Sequence, residues 1–206
     1  MFRTLKMSDA KLTDEELWQL VREDQEAAFT LLMTRYLPSL LHYGRKFSTD
    51  ASLVEDCVQD VFADFWFRRA TKSQIFSIRA YLFAAVRNQI GRQAREMSRS
   101  GTFQDDEKFM LFSATFSVEE SWIADETERE RLHKLNSIIN ELPPRQKEII
   151  YLRFYQGLEK DQIAQVLEIN YQSVSNLLHR ALTTLRNQFP ASFPVLFCVF
   201  LALNQN

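Results

Sequence analysis

The stretch from Asp161 to Arg186, DQIAQVLEINYQSVSNLLHRALTTLR, constrains the fold more than any other part of the chain. In its second half Val174, Leu177, Leu178, Ala181, Leu182 and Leu185 recur at helical spacing and make a single apolar stripe. Before them Ile163, Ala164 and Leu167 mark a shorter helix, and the small Ala164 lets two helices cross closely. Asn170 stands where an N-cap is wanted, and a helix start there also favours a phosphate. Two helices with so tight a break form a helix-turn-helix. The polar side of the second helix carries Gln172, Asn176, His179, Arg180 and Thr183. Amides pair with adenine and arginine with guanine or phosphate, so this face suits a DNA groove. An ordinary amphipathic helix with a solvated polar face has the same pattern. His179 has no second ligand four residues on, which makes it a surface contact rather than a metal ligand.

The rest of the chain reads as helix too. Only four glycines and five prolines interrupt 206 residues, and Leu, Ala, Glu, Gln and Arg are abundant. The expected fold class is all-α: two small helical domains joined by an acidic linker, the second with the helix-turn-helix. The first domain is read over 13–97. The linker covers 98–125, where isolated Phe and Met residues show no period. The second domain covers 126–189, with Pro143-Pro144 opening a helix and Gly157 closing it. An apolar tail, 190–206, ends the chain. Its uninterrupted run from Phe193 to Leu203 is eleven residues, against about 20 for a spanning helix, so no stable membrane insertion is expected. The tail is expected to pack on its own protein or to act as a detachable cover. Cys57 and Cys198 fit no metal or redox spacing, and the N-terminal residues lack the apolar core of a secretory signal. A reduced, cytoplasmic protein is the expectation. Glycine-rich phosphate loops, His/Cys clusters and nucleophile motifs are missing from the sequence, so no enzyme, catalytic residue, metal, cofactor or small-molecule substrate is expected.

The net charge of −2 argues against a uniformly basic nucleic-acid binder, but the charge lies in blocks. From Asp50 to Trp66 there are five acids and no bases; from Arg79 to Arg99, five arginines and one acid; from Gly101 to Glu130, nine acids and two bases. Blocks of opposite sign point to several partner surfaces. In SLVEDCVQDVFADFWFRR, Val54, Val58, Val61, Phe62 and Phe65 form a core stripe. Opposite lie Asp56, Gln59, Asp60, Ala63 and Phe67, either a solvated acidic face or a docking surface with an aromatic anchor for a basic protein. In RAYLFAAVRNQIGRQAREMSR the core stripe is Leu82, Phe83, Val86, Ile90 and Met97. The other side carries Tyr81, Asn88, Arg92, Arg95 and Arg99, with Gly91 beside them removing bulk. Arginines track phosphates and an aromatic stacks on an unpaired base; a basic surface covered by arginine stems is the alternative. The loop Arg68–Gln74 adds Arg68, Arg69 and Lys72.

With these three surfaces in order, the sequence resembles a bacterial RNA polymerase sigma factor of the extracytoplasmic-function group, within the sigma-70 family. VEDCVQDVFADFW is similar to that group's polymerase-binding helix, commonly written A-E-D-x-x-Q-E-x-F-x-x-x-W. IRAYLFAAVRNQIGRQAR resembles its promoter-melting segment, and ELPPRQKEIIYLRFYQGLEKDQIAQVLEINYQSVSNLLHRALTTLR its fourth conserved region. The resemblance runs from about Glu15 to Arg186. It implies that Asp56, Asp60, Phe62 and Trp66 dock on core RNA polymerase, with Phe62 also on the core stripe. Arg68, Arg69, Lys72, Tyr81, Asn88, Arg92 and Arg95 would hold the unpaired strand of the proximal promoter element. Gln172, Ser175, Asn176, His179 and Arg180 would read the distal element as duplex. The acidic linker, with Asp105, Asp106 and Glu107, would pass through the polymerase's nucleic-acid channel. The partners implied are core RNA polymerase and promoter DNA, and the group often has an anti-sigma factor as well. The group's turn usually carries Gly where this chain has Glu168, a position that often needs a left-handed backbone costing a non-Gly residue roughly 1 kcal/mol. Two other readings remain open: a free-standing helix-turn-helix regulator of duplex DNA, which leaves the acidic helix unexplained, and a helical adaptor.

Overall fold

A computed structural model describes residues 12–71, 75–99, 112 and 126–188. Every regular element among them is helical, and the chain divides into two compact units at Asp106/Glu107. Lys72, the apolar tail, and the linker except Ser98, Arg99 and Phe112, so including Asp105 to Glu107, lie outside the described residues.

The first unit opens with α1, Asp14–Arg22. Thr13 caps it: its hydroxyl accepts from the Glu16 amide at 3.2 Å, and the Glu16 carboxylate accepts from the Thr13 amide at 2.7 Å. Three acids in the first turn suit the positive end of the helix. α2, Glu26–Gly44, follows a turn in which Asp24 takes a left-handed conformation. α3, Ala51–Phe67, starts where the Asp50 carboxylate accepts from the Leu53 amide at 3.1 Å. α4 is Ile78–Arg99. The expected stripes are the buried ones: Val54, Val58, Val61, Phe62 and Phe65 on α3, and Leu82, Phe83, Val86 and Ile90 on α4. Met97 is only partly buried.

Helices α2, α3 and α4 meet at Gly44. A methyl group there would lie 2.6 Å from Val54 Cγ1 and 3.2 Å from Ile90 Cδ1, so the crossing needs a residue without a side chain. Aromatic rings fill the remaining space: Trp18 on Phe65 at 4.7 Å, and Tyr43 on Phe83 at 5.0 Å. Gly91, expected beside the arginine face as an open approach for a backbone, is buried instead.

The second unit contains α5 (Glu126–Glu141), α6 (Pro144–Ile150), α7 (Lys160–Leu167) and α8 (Tyr171–Gln188). Pro144 opens α6 as expected, and α6 runs on into a wider π turn over Tyr151–Tyr155. Gly157, at φ 59°, ends it. Arg153 ties this corner down, its Nη1 donating to the Leu158 carbonyl at 2.9 Å and pairing with Glu159 at 2.8 Å.

Helices α7 and α8 form the helix-turn-helix. Ile163, Val166 and Leu167 are the buried residues of α7, whereas Ala164 is half-buried. Val166, rather than Ala164, thus completes the buried set with Ile163 and Leu167. Glu168 takes φ 53°, ψ 42°, so the left-handed turn forms without glycine. Two bonds close it: Ile169 N–H to the Ala164 carbonyl at 3.1 Å, and Glu168 N–H to the Gln165 carbonyl at 3.4 Å. This is the Schellman pattern, which satisfies carbonyls that the helix end would leave unpaired. Asn170 then caps α8, its side-chain oxygen accepting from the Ser173 amide at 2.8 Å. Val174, Leu178, Ala181 and Leu185 are buried, with Leu177 and Leu182 at the stripe's edges.

Phe112 departs from the sequence reading. It falls in the segment read as aperiodic linker, yet it is 1 % exposed and its ring lies 5.5 Å from that of Tyr151.

Candidate nucleic-acid interface

Asn88, Arg92 and Arg95 are spaced so that α4 presents them on one side, and Asp60 and Asp64 are likewise one turn apart on α3. Because α3 and α4 pack together, these edges adjoin. They enclose a groove of about 620 Å³, to which Arg68, Asn88, Arg92, Arg95, Gln89, Asp60 and Asp64 all contribute. The acidic and basic faces, read in the sequence as separate surfaces, therefore meet. Gln89 Nε2 donates to Asp60 Oδ2 at 2.8 Å, and Arg68 Nε pairs with Asp64 Oδ1 at 2.5 Å. Both Arg68 and Asp64 are well exposed, so this pair is weak enough to be exchanged for a phosphate. The Cys57 thiol behind the groove is pushed up to about 11 by burial first, then by Asp60 and Asp56, with Arg92 opposing.

Arg69 and Tyr81, also assigned to the unpaired strand, are not among the residues that line this groove. Arg69 is committed inside its own unit: its Nη1 donates to the Trp66 carbonyl at 2.7 Å, its guanidinium sits 4.0 Å over the Trp66 ring, and it pairs with Asp24. Those bonds hold the start of the α3–α4 loop. Tyr81, read as facing away from the core, is half-buried with its ring 5.6 Å from Phe65. A tyrosine so near the start of α4 covers the end of the aromatic core.

The four residues read as docking on polymerase also separate. Asp56 is exposed, and Asp60 belongs to the groove. Phe62 is 2 % exposed and is a core side chain. Trp66 is half-buried, 5.0 Å from the Phe29 ring and covered by Arg69. The exposed aromatic of α3 is Phe67, at 79 %.

In the second unit Gln172, Asn176, His179 and Arg180 are exposed along one side of α8. Gln172 Nε2 donates to Asn176 Oδ1 at 3.0 Å, which aligns the two amides. Ser175 is half-buried and accepts from Lys160 Nζ at 3.4 Å. Lys160 also stands 5.5 Å over the ring of Tyr171, itself half-exposed. Lys160 and Tyr171 were missed in the sequence because each flanks the helix start rather than repeating along its face. A second groove in the first unit was also missed. It encloses about 500 Å³ between α1 and the segment before α4, with Glu15, Trp18, Gln19, Arg22 and the exposed Phe76 among its walls. Among the described residues there is no group of His, Cys, Asp and Glu that could hold a metal, and no helix long and apolar enough to cross a membrane.

Comparison with known proteins identifies both units. Residues 32–100 match sigma-70 region 2, and residues 132–185 match sigma-70 region 4. The chain is 24% identical over 176 residues to the RNA polymerase sigma-H factor of Pseudomonas aeruginosa, covering 82% of this chain and 89% of that protein. It is 29% identical over 147 residues to the probable RNA polymerase sigma factor RfaY of Xanthomonas campestris pv. campestris, an alignment spanning 70% of this chain and 36% of that longer protein. Two solved structures share the fold: CnrH in complex with the cytosolic domain of CnrY (TM-score 0.54, 22% identity, 86% of this chain, 97% of that one), and the sigma factor RpoE with the anti-sigma factor NepR from Bartonella quintana (TM-score 0.54, 21% identity, 79% and 97%). With region 2 in the unit that carries the groove and region 4 in the unit that carries the helix-turn-helix, this chain belongs to the sigma-70 family of RNA polymerase sigma factors.

Proposed function

We propose that the protein is a sigma factor of the extracytoplasmic-function group: it binds core RNA polymerase, opens promoter DNA at a proximal element with its first unit and reads a distal element with its second. The observation that carries this is the convergence of Arg68, Asn88, Arg92 and Arg95 on one groove of the first unit. Arginines there take phosphates and Asn88 takes a base edge, a combination suited to an unpaired strand. Asp60 and Asp64 at the same groove repel a strand bound too deeply, and Asp64 holds Arg68 until a phosphate replaces it. Asp56, with Phe67 at the end of α3, supplies a separate charged and apolar edge for polymerase. On α8, Gln172, Asn176, His179 and Arg180 face a major groove, and Ser175 with Lys160 lies beside a flanking phosphate. Chemistry belongs to the polymerase, and this chain contributes positioning alone. Action in the cytoplasm, and inhibition by an anti-sigma partner like that of the Bartonella neighbour, follow from the same reading.

The test is gel filtration of the purified protein with bacterial core RNA polymerase, beside an Asp56→Lys variant. Asp56 is exposed, so its reversal leaves the fold intact. The reading expects co-elution of the native protein and its loss or marked weakening in the variant. A folded native protein that fails to co-elute, yet shifts duplex DNA by itself, is instead a free-standing regulator.

A further inference from the structure

Three acids stand in the first turn of α1, and two of them are committed. Asp14 pairs with Arg35 and accepts from the Tyr36 hydroxyl, and Glu16 accepts from the Thr13 amide. Glu15 has no hydrogen bond or ion pair through its side chain among the described residues, and the same holds for Gln19 and Arg22. All three are exposed, at spacings of four and three residues, so they share one edge of α1. That edge borders the groove of about 500 Å³ between α1 and the segment before α4. Trp18, packed on Phe65 at 4.7 Å, and Ile78 are its buried residues, and Ile75 and Phe76 complete its lining. A lone exposed phenylalanine is ordinary. Phe76, 76 % exposed, instead adjoins two further apolar side chains in a groove edged by three unpartnered polar ones, the pattern of an interaction site.

The order of the charges selects the occupant. Glu15 and Arg22 are two turns apart, about 10 Å along the helix, with Trp18 and Gln19 midway. One acid and one base cancel, so a phosphate backbone gains no net attraction here. A helix that presents the same row in the reverse direction is matched at both ends, and α1 is itself such a helix. A twofold axis between Trp18 and Gln19, with two α1 helices antiparallel, sets Glu15 against the partner's Arg22, and Arg22 against the partner's Glu15. Gln19 then meets the partner's Gln19, and each amide carries both donor and acceptor. A patch that complements itself about a twofold axis is what a closed dimer requires.

We propose that this groove is a homodimer interface, covered by α1 and Phe76 of a second copy of this chain. Exposed ion pairs contribute little, so the aromatic cover holds the dimer and the charges set its register. The dimer is therefore weak and reversible. It involves neither polymerase nor DNA and stands apart from the functional reading.

Sedimentation equilibrium of the full-length protein over a concentration series tests it. The mass of the native protein should rise from 24.3 kDa towards twice that value. Glu15→Lys alone, or Arg22→Glu alone, sets like charges against each other at both ends of the pair, and each should weaken association at least tenfold. Mixed in equal amounts, the two variants offer opposite charges at both ends again, and the mixture should associate at least tenfold more tightly than either alone. Phe76→Ser, which leaves α1 and its cap untouched, should also weaken association tenfold, and it keeps the test open should a charge reversal disturb the helix. A native protein that stays at 24.3 kDa at every concentration would overturn the dimer and leave the groove to a different protein. Association unchanged in the variants, or a mixture no tighter than its components, would overturn this interface.

Discussion

The two units reach stability by different routes. In the first, three helices of 17 to 22 residues pack around a glycine crossing and a run of aromatic rings. In the second, two of the four described α-helices are only seven and eight residues long and are held by turns: the π turn, the corner at Gly157, the left-handed Glu168 and the Asn170 cap. Short helices are marginal on their own, so their ends and their tertiary cover decide whether they form. The first unit is therefore sensitive to volume changes in its core, and the second to backbone conformation.

The largest predicted effect breaks this comparison most simply. Phe65 is fully buried between Trp18 and Tyr81, and Phe65→Ala should cost the first unit about 3–5 kcal/mol. Thermal unfolding followed by hydrogen exchange should show the first unit destabilised and the second unchanged; if both fall together, the units do not fold separately. Gly44→Ala should cost about 1–3 kcal/mol, because the added methyl meets Val54 and Ile90. Equal stability of that variant would mean that the crossing is loose. Glu168→Gly works in the opposite direction and in the other unit. Relieving the left-handed strain should raise the second unit's stability by about 1 kcal/mol, seen as a higher midpoint for that unit alone. The smallest effect is chemical. With its thiol pushed up to about 11, Cys57 keeps the protonated form in the fold, and this contribution is full below the ordinary value of 9.0 and is lost as pH rises towards 11. At pH 8 maleimide should label it about a hundredfold more slowly than a free thiol, and unfolding should abolish the difference. Fast labelling in the folded protein would show that α3 is less tightly packed than its geometry indicates.

The same contrast explains what was legible in the sequence. The stripes of α3, α4 and α8 repeat over several turns, and their periodicity identifies most of the buried residues, missing Cys57, Ile78, Ala80 and Ala94. The Asn170 cap and the Pro144 start are local signals with a fixed chemistry. Periodicity says nothing about which exposed edges adjoin, and so the acidic and basic faces looked separate until α3 and α4 were placed side by side. It is equally silent about side chains whose partners lie in other elements. Arg69 looked free for DNA because Asp24 is 45 residues away. Tyr81 looked exposed because its ring partner is on α3. Phe112 has no helical neighbours to give it a period, and only its burial against Tyr151 reveals it. In the second unit Glu168 breaks the expected glycine rule, and the Schellman bonds around it show how the turn forms at that cost.

The most direct test of the account concerns the groove. Core RNA polymerase should be combined with native protein, or with an Asn88→Ala, Arg92→Ala double variant, and transcripts mapped from sheared genomic DNA of the source bacterium. Both side chains are exposed, so the variant should fold and still co-elute with polymerase. Discrete start sites are expected with the native protein, and at least a tenfold loss of those transcripts with the variant. A variant that co-elutes and initiates at the same sites as strongly as the native protein would contradict it.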